Sequence, residues 1–372
     1  MLLLFISFFS SLLLILGIIR YKYLHEHFSG DHDLSGPQKF HNSNPPRIGG
    51  LGIYLALWIA TMTAFYKQAD LAKLIAFVLL GAIPVFTAGL AEDLTKRVGV
   101  KIRLLAGLMS GVLMLYLFEI TSIRLDIWVL DTLFTNIWIA CLFLAIACSG
   151  LSNAYNIIDG FNGLASMVAI ISTAAIAFVA FRVNDIALVY LALIFIGSIA
   201  GFFIWNYPKG MIFLGDGGAY LIGFVIATLS ILLVQRNPSV SPWFALLVNV
   251  YPIFETLFTI WRRTIYQGKN PGIPDGTHFH SLIYRRVIRW AKPMFRQNDH
   301  HYVKNAKTAP FLWVTTCLGV VPATLFWYST PILIVGTLAF MILYVYIYRR
   351  VVRFDKPKWL SLAQKNNIPP AK

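Results

Sequence analysis

Eleven apolar runs, each roughly 16 to 20 residues long, occupy most of this chain. A run of that length crosses the hydrocarbon core of a bilayer as one helix. The runs lie at about 2–19, 48–66, 71–91, 104–119, 132–152, 164–181, 186–204, 218–234, 243–261, 310–327 and 331–348. Only 13% of the 372 residues are charged, about half the share in soluble domains, which excludes an ordinary soluble globule. A membrane strand barrel would show short alternating segments instead. The expected fold is therefore all-α: a polytopic membrane protein of eleven transmembrane helices. The first run has no basic residues before it and no small-residue cleavage pattern, so it reads as a retained span rather than a signal peptide. Cys141, Cys148 and Cys317 all lie inside apolar runs, which implies neither a disulfide framework nor a metal knuckle.

The net charge of +15 invites a nucleic-acid reading, but its distribution argues against one. If connections alternate between two sides, the segments 20–47, 92–103, 153–163, 205–217, 262–309 and 349–372 share one side. They hold 26 of the 31 Lys and Arg. Such an asymmetry assigns that side to the cytoplasm, with the N-terminus outside and the C-terminus inside. The expected organisation is one transmembrane domain over 1–348 and a basic, loosely ordered tail over 349–372. The basic excess suits anionic headgroups and anionic substrates.

The most informative polar stretch is Asn153-Ala-Tyr-Asn156-Ile-Ile-Asp159-Gly-Phe-Asn162-Gly163-Leu164. Amides and one carboxylate between two apolar runs suit a small polar ligand better than a solvated linker. Helix capping accounts for one or two of them.

The other connections on that side carry further candidates. Residues 39–50 contain Lys39, His41 and Arg47, with paired Pro45-Pro46 and paired Gly49-Gly50. These cations can hold phosphate, or they can be simple positive-inside charge. Glu92 and Asp93 end an apolar run, where adjacent carboxylates serve to hold a cation or accept a proton. An interfacial salt-bridge network with Lys96 and Arg97 is the alternative. Asn206, Phe213 and Asp216 precede or open the eighth run, and Asp216 is flanked by Gly215, Gly217 and Gly218. That carboxylate either caps the helix or meets a large ligand admitted by the glycines. Phe213 either stacks on a base or packs into lipid. Glu255 is an acid within a span, a functional candidate by default. His278 and His280 can bind metal or contact phosphate, though two His at i, i+2 are a weak metal signature. Beyond them, 282–292 alternates apolar and basic pairs at helical spacing, as an interfacial helix does.

Glu92, Asp93, Asp159, Asp216 and Glu255 thus come from different spans but from one face, among Lys39, Arg47, Lys96, Arg97, Lys209 and the His pair. Oxygen donors of this kind favour Mg²⁺ or Mn²⁺ over zinc. With the cations, they make a site for phosphoryl transfer, which needs charge neutralisation and positioning more than covalent help.

In its motifs the chain resembles the polyprenyl-phosphate N-acetylhexosamine-1-phosphate transferases, the bacterial membrane family that starts lipid-linked glycan synthesis. The motifs are Gly89-Leu-Ala-Glu92-Asp93, Asn153-x-x-Asn156-x-x-Asp159-Gly-x-x-Gly163-Leu164, Phe213-Leu-Gly215-Asp216-x-Gly218 and His278-Phe-His280, in this order. The resemblance implies a multi-pass enzyme of the bacterial inner membrane with a cytoplasmic active site. It implies transfer of a sugar 1-phosphate from a UDP-N-acetylamino sugar to undecaprenyl phosphate, with release of UMP and dependence on Mg²⁺. By the same resemblance Asp216 is the main Mg²⁺ ligand, with Asp93 and Glu92 near metal and lipid phosphate. Asn153, Asn156 and Asp159 meet the nucleotide sugar, Asn206 and Phe213 the uridine. Lys39, His41, Arg47, His278 and His280 bind substrate, chiefly its phosphates. Direct attack by the lipid phosphate is favoured over a covalent intermediate, because that phosphate is already a dianion. The partners implied are these two substrates and membrane lipid, not nucleic acid, with a homodimer as a further expectation.

Two residues depart from the family pattern. Glu92 replaces the first Asp of an Asp-Asp pair, and Ser281 stands where a third His is usual. The second departure places the chain nearer the branch that uses free UDP-amino sugars for O-antigen, lipopolysaccharide, exopolysaccharide or teichoic-type polymers than the peptidoglycan-precursor branch. Two other readings compete: an inactive relative, raised by these departures, and a transporter. The transporter would place its ionisable groups near the midplane on repeat-related broken helices.

Overall fold

The computed structural model describes residues 1–30, 45–270, 275–288 and 305–353. Lys39, His41, the second half of the expected interfacial helix and nearly all of the tail lie outside the described residues. Within them every expected apolar run forms helix, and no strand is present.

The helices in chain order are α1 (Leu2–Arg20), α2 (Lys22–Ser29), α3 (Gly49–Phe65), α4 (Ala69–Thr95), α5 (Val100–Leu117), α6 (Trp128–Leu133) and α7 (Ile137–Ile158). They continue as α8 (Leu164–Arg182), α9 (Ile186–Asn206), α10 (Gly215–Arg236), α11 (Pro242–Val248), α12 (Val250–Trp261), α13 (Phe279–Leu282), α14 (Ala309–Leu325) and α15 (Thr330–Arg353). Among the described residues eight are long and apolar enough to cross a membrane, nine if the bent pair α11–α12 counts as one span. Gly49–Phe65 and Ala309–Leu325 are shorter apolar helices.

Helix α10 is the hub. Its most apolar window is 89% buried, against 22% for α1 and for α15, and it packs on α3, α4, α7 and α8. A helix apolar on every side belongs where protein surrounds it. Lipid supplies no hydrophobic drive between spans, so small residues decide how closely they pack. Along α1 and α9, Gly197 and Gly201 lie against Ser7, Phe8 and Ser11, and the Ser7 hydroxyl donates to the Ile194 carbonyl at 2.8 Å.

The structure revises several boundaries. Asn153 to Ile158 are helical, not loop, because nothing breaks the helix before Asp159-Gly160. Helix α4 runs to Thr95 and α5 starts at Val100, leaving only 96–99 between them. The last helix passes 348 and reaches Arg353. The expected span 243–261 is two helices bent by 72°. Pro252 has no N–H to offer the Val248 carbonyl four residues back. That carbonyl instead accepts the Ser172 hydroxyl at 3.0 Å, and the Asn249 amide donates to Ala245 O at 3.1 Å and Ser230 Oγ at 3.3 Å. Buried side chains thus satisfy the broken ladder, as a non-aqueous setting requires.

Candidate active site

Three helix ends meet backbone to backbone. A Cβ on Gly50 would collide with Gly218, and one on Gly89 would lie 2.6 Å from Gly217. Gly215 takes φ +76°, a conformation that side chains resist, with the Arg47 carbonyl where its Cβ would be. The segment after Pro45-Pro46 is stitched to the start of α10: Phe213 N–H donates to Pro46 O at 2.8 Å, and Gly49 and Gly50 N–H donate to Phe213 O and Leu214 O at 2.9 Å each. The glycine pairs of the sequence therefore let helix ends touch, so that side chains on neighbouring turns converge.

The first of these is Asp93, at the end of α4 and 1% exposed. Its two oxygens accept the Asp216 and Gly217 N–H groups at 2.9 Å each. It acts as an N-cap supplied by another helix, placing negative charge against the positive end of α10. Asp216, in the first turn of α10, is held from three sides. Its Oδ1 accepts the Asn156 amide at 3.0 Å and lies 3.6 Å from Arg47 Nη2, and its Oδ2 accepts Arg103. Arg47 also lies 3.9 Å from Asp93. Asp159, just past the end of α7, completes the group. Burial first, and then the Asp216 and Asp93 charges, push its carboxyl up to about 7 against the opposing pull of Arg47.

Arg103 was missed as a site residue. In sequence it is one of several basic residues in a connection, indistinguishable from positive-inside charge. Its place in the first turn of α5 turns it to Asp216. Glu92, one position from Asp93, points elsewhere: its Oε2 accepts Val98 N–H at 2.7 Å and closes the α4–α5 turn. Asn153 lies one turn before Asn156 and is partly exposed. Phe213 is partly buried at the entry to α10. Asn206 is buried, with its carbonyl accepting Gly163 N–H at 2.6 Å and its amide donating to Ile212 O at 2.8 Å. It ties the two site loops together.

The histidine motif forms the remaining wall. His278 Nδ1 lies 3.1 Å from Glu255 Oε1, and its ring stacks on His280 at 5.3 Å between centroids. A Cβ on Gly160 would sit 2.7 Å from His280 Nε2, so that nitrogen abuts the turn carrying Asp159. Burial, with help from His278, pushes the His280 imidazolium down to about 3. That shift disfavours the charged form of the His280 ring.

A helical bundle with carboxylates, guanidiniums and amides gathered at one end has the make-up of a membrane-protein site for a charged ligand. Comparison with known proteins gives the family. The profile of Glycosyl transferase family 4 matches residues 75–234, the stretch running from α4 through α10. A phospho-N-acetylmuramoyl-pentapeptide-transferase of Lactobacillus johnsonii is 30% identical over 267 residues, 69% of this chain and 81% of its own. A probable undecaprenyl-phosphate N-acetylglucosaminyl 1-phosphate transferase of Bacillus subtilis is 27% identical over 260 residues, 68% and 70% of the two chains. An undecaprenyl-phosphate alpha-N-acetylglucosaminyl 1-phosphate transferase of Thermotoga maritima is 26% identical over 261 residues, 69% and 74%. The chain belongs to glycosyl transferase family 4, the polyprenyl-phosphate N-acetylhexosamine-1-phosphate transferases.

Proposed function

We propose that the protein transfers an N-acetylamino-sugar 1-phosphate from a UDP-sugar to undecaprenyl phosphate, at the cytoplasmic face of a bacterial inner membrane. The observation that carries this reading is the convergence of Asp93, Asp159 and Asp216 with Arg47, Arg103 and Asn156 at the ends of membrane-length helices. A phosphate carried by a lipid and a soluble nucleotide can both reach such a place. Relatives named for either transferred group, N-acetylglucosaminyl 1-phosphate or phospho-N-acetylmuramoyl-pentapeptide, match at similar identity, so the choice of branch rests on residues. Ser281 in place of a third His favours a free UDP-amino sugar, such as UDP-GlcNAc, in O-antigen, exopolysaccharide or teichoic-type synthesis.

In the reaction an oxygen of the lipid phosphate attacks the β-phosphorus of the UDP-sugar. The bond from that phosphorus to the bridging oxygen breaks, and UMP leaves with the electron pair. Arg47 and Arg103 neutralise phosphate oxygens, and Asn156 orients the Asp216 carboxylate. The donors suit Mg²⁺, which keeps several waters and takes one or two carboxylates together with substrate phosphates. Among the described residues no three His, Cys, Asp or Glu are grouped so that they could hold a metal ion by themselves, so substrate phosphates would have to complete the site. Asp216 would hold the ion, with Asp159 or the remaining lone pairs of Asp93 beside it. A bound Mg²⁺ supplies further neutralisation of phosphate charge.

The test is UMP release by purified protein with undecaprenyl phosphate, Mg²⁺ and UDP-GlcNAc, beside an EDTA control. UDP-QuiNAc, UDP-FucNAc and UDP-MurNAc-pentapeptide run in parallel. Metal-dependent UMP release with a free UDP-amino sugar is expected. Release with the pentapeptide precursor alone would move the protein to the other branch, and silence with every donor from folded protein would sink the reading.

A further inference from the structure

The last helix is tied into the wall of the active site. Most of helix α15 is not buried within the protein, yet Leu333, Thr337, Phe340, Tyr344 and Tyr348 form a buried stripe along it. Tyr344 and Tyr348 stand one turn apart on one face. The Tyr344 hydroxyl, 2% exposed as a residue, donates to Glu255 Oε2. The other oxygen of Glu255 accepts Phe279 N–H at 3.1 Å and lies 3.1 Å from His278 Nδ1. The Tyr348 hydroxyl donates to Thr277 O at 3.0 Å, and its ring lies 6.0 Å from the Arg262 guanidinium. Arg262 in turn binds Asp275 and the Thr277 hydroxyl.

These contacts hold the 275–280 turn at both ends. At the turn's far side His280 Nε2 abuts Gly160, while its buried Nδ1 has no hydrogen-bond partner among the described residues. The ring therefore has no anchor of its own on that nitrogen. Its position comes from the backbone of the turn, from its stacking on His278 and from the edge contact with Phe161 at 5.5 Å between centroids. A buried carboxylate accepting from a backbone N–H and a tyrosine, and facing an imidazole, gives strong directional ties where water does not compete.

We propose that Glu255, Tyr344 and Tyr348 are positioning residues that set His280 against the Asp159–Gly160 turn, making the C-terminal helix a working part of the catalytic site. The consequence for turnover rests on the reaction proposed above; the tie itself does not. A displacement of about 1 Å at the reacting centre is enough to slow the reaction about a hundredfold.

Two readouts separate the tie from the reaction. In hydrogen–deuterium exchange on the full-length protein, Tyr344→Phe is expected to raise the exchange rate of the 275–282 backbone about tenfold. Tyr346→Phe, on the exposed side of the same helix, leaves it unchanged. In UMP release, Tyr344→Phe is expected to lower turnover about tenfold and Glu255→Ala about a hundredfold. Glu255→Gln, which keeps an acceptor for Phe279 N–H, restores most of the loss. In a His280→Ala background the same changes cost less than about twofold, because their route to the chemistry is already gone. Unchanged exchange in Tyr344→Phe would overturn the inference whatever the substrate is. Full losses that persist in the His280→Ala background would show that the residues act elsewhere. Altered exchange from a protein that releases no UMP would uphold the tie and place the fault in the reaction assigned.

Discussion

The two ends of this bundle both gather buried charge, but they balance it differently. At the end where α8 gives way to α9 and α10 finishes, Asp185 is answered by Arg236 at 2.9 Å and the Asn237 amide at 3.2 Å, and it also caps α9. Nearby, Arg124 donates to the Pro238 and Val240 carbonyls at 2.6 and 2.5 Å and pairs with Asp126, which accepts the Thr330 hydroxyl. Asp185 and Asp126 each have a cation there, and the remaining donors of Arg124 are used on loop carbonyls. At the opposite end Asp159 feels the charges of both Asp93 and Asp216, and the guanidiniums of Arg47 and Arg103 converge on Asp216 rather than serving one acid each. The first arrangement fastens loops. The second leaves charge unresolved, with donors and acceptors that a phosphate or a cation can complete.

The contrast can be broken by mutation at either end. The largest effect is expected from Asp216→Asn, which removes the charge but keeps the shape and the Asn156 contact. UMP release should fall about a thousandfold while the protein stays folded by circular dichroism. Arg103→Ala should cost about ten- to a hundredfold in turnover, and Arg103→Lys should recover little of it, since an ammonium cannot reproduce the guanidinium fork. Arg236→Ala, at the fastening end, should leave turnover unchanged. It leaves the Asp185 carboxylate buried with less compensation. With Arg236 itself partly exposed, the expected cost is about 1–2 kcal/mol, a drop of about 3 °C in melting temperature. A loss of turnover there, or of stability alone in Arg103→Ala, would dissolve the distinction.

The smallest effect is one of pH. Asp159 keeps its proton up to about 7 in the folded protein, whereas the unfolded chain releases it near the ordinary value of 3.8. The folded state therefore binds the extra proton, and metal-free stability should fall as pH rises through that window. Asp159→Asn should flatten this part of a melting-temperature profile taken in EDTA. An unchanged slope would show that Asp159 is not where the crowding is felt.

Much of the site could be read from the chain. Asp216 between glycines, Asp93 at the end of an apolar run and Asn156 three residues from Asp159 are local patterns, and the structure brings all four side chains to one place. Other assignments depended on direction, which local pattern does not encode. Asn206 directs its amide to two loops, and Glu92 faces the α4–α5 turn although its neighbour Asp93 faces α10, because adjacent helical positions lie about 100° apart. The break at Asn249 had a local signal, Pro252 three residues on, inside an otherwise unbroken apolar run. Tyr344 and Tyr348 gave none, since tyrosines at the end of a span are commonplace at a membrane interface.

The sequence by itself determined that this chain is a bundle of membrane-length helices with its candidate site acids and most of its bases at one set of helix ends. Bilayer thickness, backbone hydrogen bonding and charge each act on residues close together in the chain. Tertiary structure alone decided that Asp93 caps α10, that Arg103 turns from solvent to Asp216, and that the last helix reaches His280 through Glu255. Those contacts join residues 89 to 123 positions apart, and such pairs become neighbours only after packing has chosen which face of each helix turns inward.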